Sequence, residues 1–203
     1  MRLPYIPNPP PSSTPENDEI VSRIQQRRHP RPLQPLDLTL LHSPPVANGW
    51  NTFLGAIRTQ TLLPADLREI AISRVAVINR AWYEWAHHAP LAVAAGVPKE
   101  GMDAIKLADP LILGETEKPE SLTEKQWVVA CYTDEMTRNV QVRDETFEEL
   151  RRVMSEGEHD KKEESERLVV EVTATVACYN CVSRFLVALD VGERNGTGPD
   201  AAH

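Results

Sequence analysis

Residues 67–97 read LREIAISRVAVINRAWYEWAHHAPLAVAAGV. Two amphipathic helical patterns meet inside this run. In the first, Leu67, Ile70, Ala71, Val75 and Ile78 recur at spacings of three and four, the period of one helix face. The second begins near Trp82 and stops at Gly96, a residue suited to the left-handed turn that ends a helix. The two helices are close enough in sequence to pair antiparallel. Into this apolar setting the chain places Glu69, Glu84, His87 and His88. Glu84 and His88, four residues apart, share a helical face. Antiparallel pairing of the two helices would bring Glu69 to the same place.

A carboxylate beside an imidazole orients the ring, raises its pKa and suits it to trade protons near neutral pH. On spacing alone, a Glu/His pair at i, i+4 is most often a solvated surface pair. His87 points about 100° away from His88. A zincin-type metal site is not formed, because HExxH needs the glutamate directly after the first histidine. No Gly-rich phosphate loop is present. Pro90 lies inside the second helix, where it removes a backbone hydrogen bond.

The period of three and four continues outward. Ser43 and Pro44 open a helix with Val46, Trp50, Phe53, Leu54 and Ile57 on one side. Pro98 opens a short helix to about Ala108. Ser121-Leu-Thr-Glu124 has the form of a capping box, and Trp127, Val128, Cys131 and Met136 follow it. Asp144 caps a helix carrying Phe147, Leu150 and Val153. Residues 155–163 read as an exposed loop. A long helix then runs from about Glu164 to Leu189, and the polar residues from 192 to 203 form a loose tail. No segment alternates with period two, so the chain is expected to be all-α.

Residues 1–45 hold eleven of the seventeen prolines, which excludes one long helix or a central strand there. Residues 1–42 are therefore expected as an irregular arm over a body or onto a neighbouring subunit. One short helix fits inside the arm, capped by Thr14 and carrying Ile20, Val21 and Ile24. The helical domain is expected over residues 43–191.

The chain has 203 residues and a formal net charge of −8. The acidic balance argues against nucleic acid, which demands a basic face. No uninterrupted run of about 18 apolar residues suggests a membrane span. Three cysteines, Cys131, Cys178 and Cys181, do not suggest a disulfide scaffold, and a cytoplasmic location is the expectation. Cys178-Tyr-Asn-Cys181 is a CxxC on a helix, which is either a redox couple or a pair of small core residues. Trp82 and the other tryptophans read as core or subunit contacts. Arg74, Arg80 and Arg184 lie near the site in sequence, so any of them is a candidate to grip a substrate carboxylate.

The run 67–97 resembles the carboxymuconolactone decarboxylase family, which includes the alkylhydroperoxidase D-like (AhpD-like) proteins. The later VACYNCVSRFLVALDV, 176–191, resembles the closing helix of its longer members, so the resemblance spans about residues 43–191. It implies an all-helical homo-oligomer, a trimer or hexamer, with a site between helices. The AhpD-like motif is Glu, eleven residues, Cys, two residues, Cys, three residues, His. Counting from Glu69, the glutamate and His88 match, while Ala81 and Glu84 stand where the cysteines would be. What remains resembles the decarboxylase branch, which uses no metal or organic cofactor.

The expectation is an acid/base decarboxylase or lyase acting on a small lactone or carboxylic acid. His88 is its proton carrier, Glu84 and Glu69 orient it, and Tyr83 or an arginine supplies a donor to the developing enolate. His87, Trp82, Arg74, Arg80, Cys178, Cys181 and Arg184 are further pocket candidates. The alternatives are a thiol antioxidant using Cys178 and Cys181, with peroxiredoxin-type activity, and a non-catalytic helical oligomer.

Overall fold

The structure is a computed structural model that describes residues 1–156 and 162–201. Among these residues it is all-α, with nine helices and no strand. The helices are α1 (Pro15–Arg28), α2 (Pro35–Leu40), α3 (Pro44–Thr59), α4 (Ala65–Ile78), α5 (Trp82–Ala94), α6 (Lys99–Ile105), α7 (Glu124–Asn139), α8 (Asp144–Ser155) and α9 (Lys162–Leu189). The loop expected over 155–163 falls partly outside the described residues.

The centre of the fold is α4, which packs against α5, α7 and α9. Leu67, Ile70, Ala71, Ile72, Val75 and Ala76 are almost wholly buried. With apolar residues on every side, α4 is a helix with no solvent face. It ends in a Schellman turn: the Ala81 N–H donates to the Ala76 carbonyl at 2.8 Å, and Arg80 takes the left-handed conformation with φ 53°. This turn sends α5 back along α4. Asn79 then ties the corner to α9 by donating to Asn180 Oδ1 (3.1 Å) and Ser183 Oγ (2.6 Å). At the other end of α4, Glu171 of α9 accepts from the backbone of Leu62 and Leu63.

One helix, α9, is long and apolar enough to cross a membrane by length and composition alone. In this fold it is a core helix: Val172, Val176, Tyr179, Val182 and Leu186 are buried, and it packs against α3, α4, α7 and α8.

Several local expectations are corrected. The Pro-rich arm is less irregular than expected. Besides α1, it contains α2, and Ile20, Ile24, Leu33, Leu36 and Leu40 join the core. Proline opens both helices at positions where an N–H has no partner to lose. On α3 the buried residues are Ala47, Leu54 and Ile57, whereas Val46 and Phe53 face outward. The capping box is Thr123 with Gln126, because α7 starts at Glu124. Asp144 is the first residue of α8 rather than its cap. α6 stops at Ile105. The tail is tied down: Trp85 Nε1 donates to the Pro199 carbonyl at 3.0 Å, and Lys106 pairs with Asp200 at 2.8 Å. Gly192, at φ 77°, lies so close to the Tyr83 ring that a Cβ there would stand 2.3 Å from it.

Candidate active site

The α4–α5 hairpin brings Glu69 and His88 together. His88 Nδ1 lies 2.6 Å from Glu69 Oε2, and both side chains are buried. The other ring nitrogen, Nε2, faces Arg58 Nη1 at 3.4 Å. Arg58 comes from the last turn of α3 and is half-buried. A guanidinium can only donate, so Nε2 must present its lone pair. Nδ1 then carries the hydrogen and donates it to Glu69. The ring is thus a neutral imidazole, donating to Glu69 through Nδ1 and accepting from Arg58 at Nε2.

The electrostatics agree with this tautomer. Burial pushes the pKa of His88 down, the Glu69 hydrogen bond and charge pull it up, and Arg58 and His87 push it down again. The net direction is below the ordinary value, which corrects the expectation that a carboxylate neighbour would raise it. Burial alone would raise Glu69, but the His88 hydrogen bond and the charges of His88, Arg58 and Arg68 outweigh it, leaving its pKa lowered. Arg68 Nε stands 3.5 Å from the other Glu69 oxygen. An ionised Glu69 beneath a neutral His88 satisfies both directions.

His88 of this pair opens on a cavity of about 90 Å³, room for a few waters or a small organic molecule. α5 contributes Tyr83, Glu84, His87 and Leu91; α9 contributes Tyr179, Val182 and Leu186. The Tyr179 ring meets His88 edge-on at 5.0 Å, and its hydroxyl lies 3.5 Å from Arg58. The remaining wall comes from the arm: Arg27, Arg28, Arg31, Gln34 and Leu36. Asp37 holds this wall in shape. It pairs with Arg28 at 2.8 Å and caps α2 by accepting from the Gln34 N–H at 2.8 Å.

Glu84 belongs to the cavity but does not orient His88, contrary to expectation. It is 2 % exposed, and neither carboxyl oxygen has a hydrogen-bond partner among the described residues. Burial raises its pKa far above the usual carboxylate range. Tyr83 is likewise pushed up by burial, to about 12, and its ring stacks on His87 at 4.4 Å. His87 is exposed at the rim, with Nδ1 2.7 Å from the Tyr83 carbonyl.

The remaining candidates lie elsewhere. Arg74 is fully buried beside Asp134, at 2.7 Å through Nε, and donates to the carbonyls of Ile105 (2.8 Å) and Asp109 (2.6 Å). It anchors the segment after α6. Arg80 is exposed at the hairpin corner, and Arg184 is exposed and bound to its own helix at Asn180. Trp82 packs against the core outside the cavity. Cys178 is buried, and burial raises its thiol to about 12. Cys181 is exposed, not buried. It follows Tyr179 by two residues, or about 200° around the helix, so a helix that turns Tyr179 inward turns Cys181 out. Neither cysteine lines the cavity. Among the described residues no group of three or more His, Cys, Asp or Glu side chains converges as metal ligands.

Sequence reasoning missed Arg58, Arg27, Arg28 and Tyr179. The signals were an arginine ending a helix whose other inward residues are apolar, and a basic cluster, QQRRHPR, inside a segment read as an arm.

The site is a buried carboxylate–histidine pair in an all-helical fold, with His88 lining an arginine-rich cavity. Residues 44–117, from α3 through α6 and into the loop beyond, match the family model described as Carboxymuconolactone decarboxylase family. The match ends before α7, so the likeness seen at 176–191 lies outside it. No curated protein and no solved structure matches the chain significantly.

Proposed function

We propose that this protein is a cofactor-independent decarboxylase acting on a small carboxylated lactone or a related organic acid. The observation behind this reading is the line Glu69–His88–Arg58, with the His88 Nε2 lone pair turned to a cation at the cavity wall. The substrate binds as its carboxylate together with one proton from solvent, which the neutral imidazole takes at Nε2, and Glu69 steadies the imidazolium formed. The carboxylate then leaves as CO2, and the electron pair of the broken carbon–carbon bond passes into the conjugated carbonyl. Arg58 meets the enolate oxygen. His88 returns its proton to carbon, so the acid is converted to CO2 and a C–H product, with the enzyme unchanged.

The arginines of the arm support an anionic substrate, since a guanidinium recognises a carboxylate geometrically as well as by charge. The thiols favour this reading over the antioxidant one: a buried, high-pKa Cys178 is a poor nucleophile, and Cys181 faces away. Exposed Val46 and Phe53 on α3, with Leu91 and Val93 on α5, suit burial between copies of the chain in a homo-oligomer. Three free thiols suit a reducing cytoplasm.

The test is release of CO2 from carboxymuconolactone by the purified protein. His88→Ala is expected to lower turnover about 100- to 10,000-fold with helicity unchanged, and His87→Ala to have a milder effect. Full activity in His88→Ala would refute the assignment.

A further inference from the structure

The cavity holds one group that the chemistry above does not use. Glu84 sits in its wall with both carboxyl oxygens buried and unpartnered among the described residues. Burial alone acts on Glu84, with no charged neighbour contributing. Arg28 grips Asp37, Arg27 lies against Asn51 and Asp37, and Arg58 faces His88 and Tyr179. Across on α9, the groups within electrostatic reach of Glu84 are Cys178 and Tyr179, and neither is a cation. An ionised carboxylate buried without a counter-charge or hydrogen bond is strongly disfavoured. A neutral carboxylic acid differs in kind, because it owns an O–H that can donate.

We propose that Glu84 is kept as a neutral carboxylic acid so that its O–H donates to the substrate carbonyl oxygen, opposite Arg58, as charge builds there. This rests on the acid/base reading of the site. No bond is made or broken at Glu84; the O–H only tightens its hydrogen bond as the enolate forms. A carboxyl held neutral by apolar surroundings is an established device for stabilising an oxyanion. Here the neutral donor and the guanidinium would share one oxygen, while His88 alone moves the proton. The inference favours a substrate that presents an uncharged carbonyl, a lactone or ketone, beside its carboxylate. A second carboxylate at that point would meet the acceptor face of Glu84.

The test begins without turnover. The infrared difference between wild type and Glu84→Gln at neutral pH should contain the carbonyl stretch of a protonated carboxylic acid. Adding a simple butenolide should shift that band, because the O–H gains an acceptor. Absence of the band, or a band the lactone leaves unmoved, would overturn the proposal. Turnover of carboxymuconolactone supplies the second arm. Glu84→Gln keeps a neutral donor and should retain most activity. Glu84→Met removes it and should lose about 10²–10³ in kcat with little change in KM. Equal activity in Glu84→Met and wild type, or equal losses in both variants of verified helicity, would also overturn it. His88→Ala separates the two ideas. If it is inactive while Glu84→Met is fully active, only the role of Glu84 fails; if it is fully active, the acid/base reading itself fails.

Discussion

His88 gives its Nδ1 hydrogen to Glu69 at 2.6 Å and turns its other nitrogen toward Arg58. The two residues sit on successive helices, α4 and α5, and the corner between them sets their meeting. A buried carboxylate fixes the tautomer while burial, helped by a nearby cation, keeps the ring from charging. The same arrangement controls stability as well as chemistry.

Both members of the pair have folded-state pKa values below their ordinary ones, 6.5 for His88 and 4.5 for Glu69. As pH falls, the unfolded chain therefore takes up protons before the folded one does. The stability these groups contribute is present above the unfolded values and is lost as pH drops through the folded ones. Urea midpoints should fall between pH 7 and pH 5 in the wild type, and fall less in His88→Gln. A wild type more stable at pH 5, or an unchanged slope in the variant, would show that His88 does not resist protonation.

Arg58 depresses the proton affinity of His88 and faces the cavity. Arg58→Gln should raise the His88 pKa, measured by NMR titration, and weaken binding of a small carboxylate. A lost charge-assisted contact worth about 1.5–3 kcal/mol corresponds to roughly 10- to 150-fold in Kd. Unchanged values of both would place Arg58 outside the site.

The three cysteines differ in exposure. A thiol reagent should modify Cys181 promptly in the native protein and reach Cys131 and Cys178 only on unfolding, which mass spectrometry of the labelled peptides can read directly. Burial raises both of those thiols to about 12. Rapid labelling of Cys178 would revive the thiol-antioxidant alternative.

Arg80 occupies the left-handed position of the turn joining α4 to α5, at φ 53°. A side chain there costs about 1 kcal/mol or more, and glycine avoids the cost. Arg80→Gly should raise stability by about 1 kcal/mol in denaturant titrations, with helicity unchanged. Destabilisation would mean that the exposed guanidinium contributes more than the turn strain removes.

The all-α architecture and the meeting of Glu69 with His88 were legible because both rest on local order: helical period, a helix-ending corner, and residues a short way either side of it. The rest depends on contacts between segments far apart in sequence. Arg58 is 30 residues from its histidine, and Tyr179 is 121 from Arg58. Nothing local marks the arm as a cavity wall, because that follows from α1 packing on α3. Glu84 shares a helix face with His88 by spacing, yet burial makes it an isolated acid rather than a partner. On α9, cysteine spacing drew attention to Cys178 and Cys181, while the phase of the neighbouring apolar residues turned Tyr179 inward.

The state of the His88 ring is observable without knowing the substrate. In protein carrying ¹⁵N-labelled histidine, the ring-nitrogen shifts of His88, assigned by loss in His88→Gln, can be followed across pH. At neutral pH they should show a neutral ring protonated on Nδ1, titrating below 6.5. A ring protonated on Nε2, or one that stays charged well above pH 6.5, would contradict a neutral base held by Glu69.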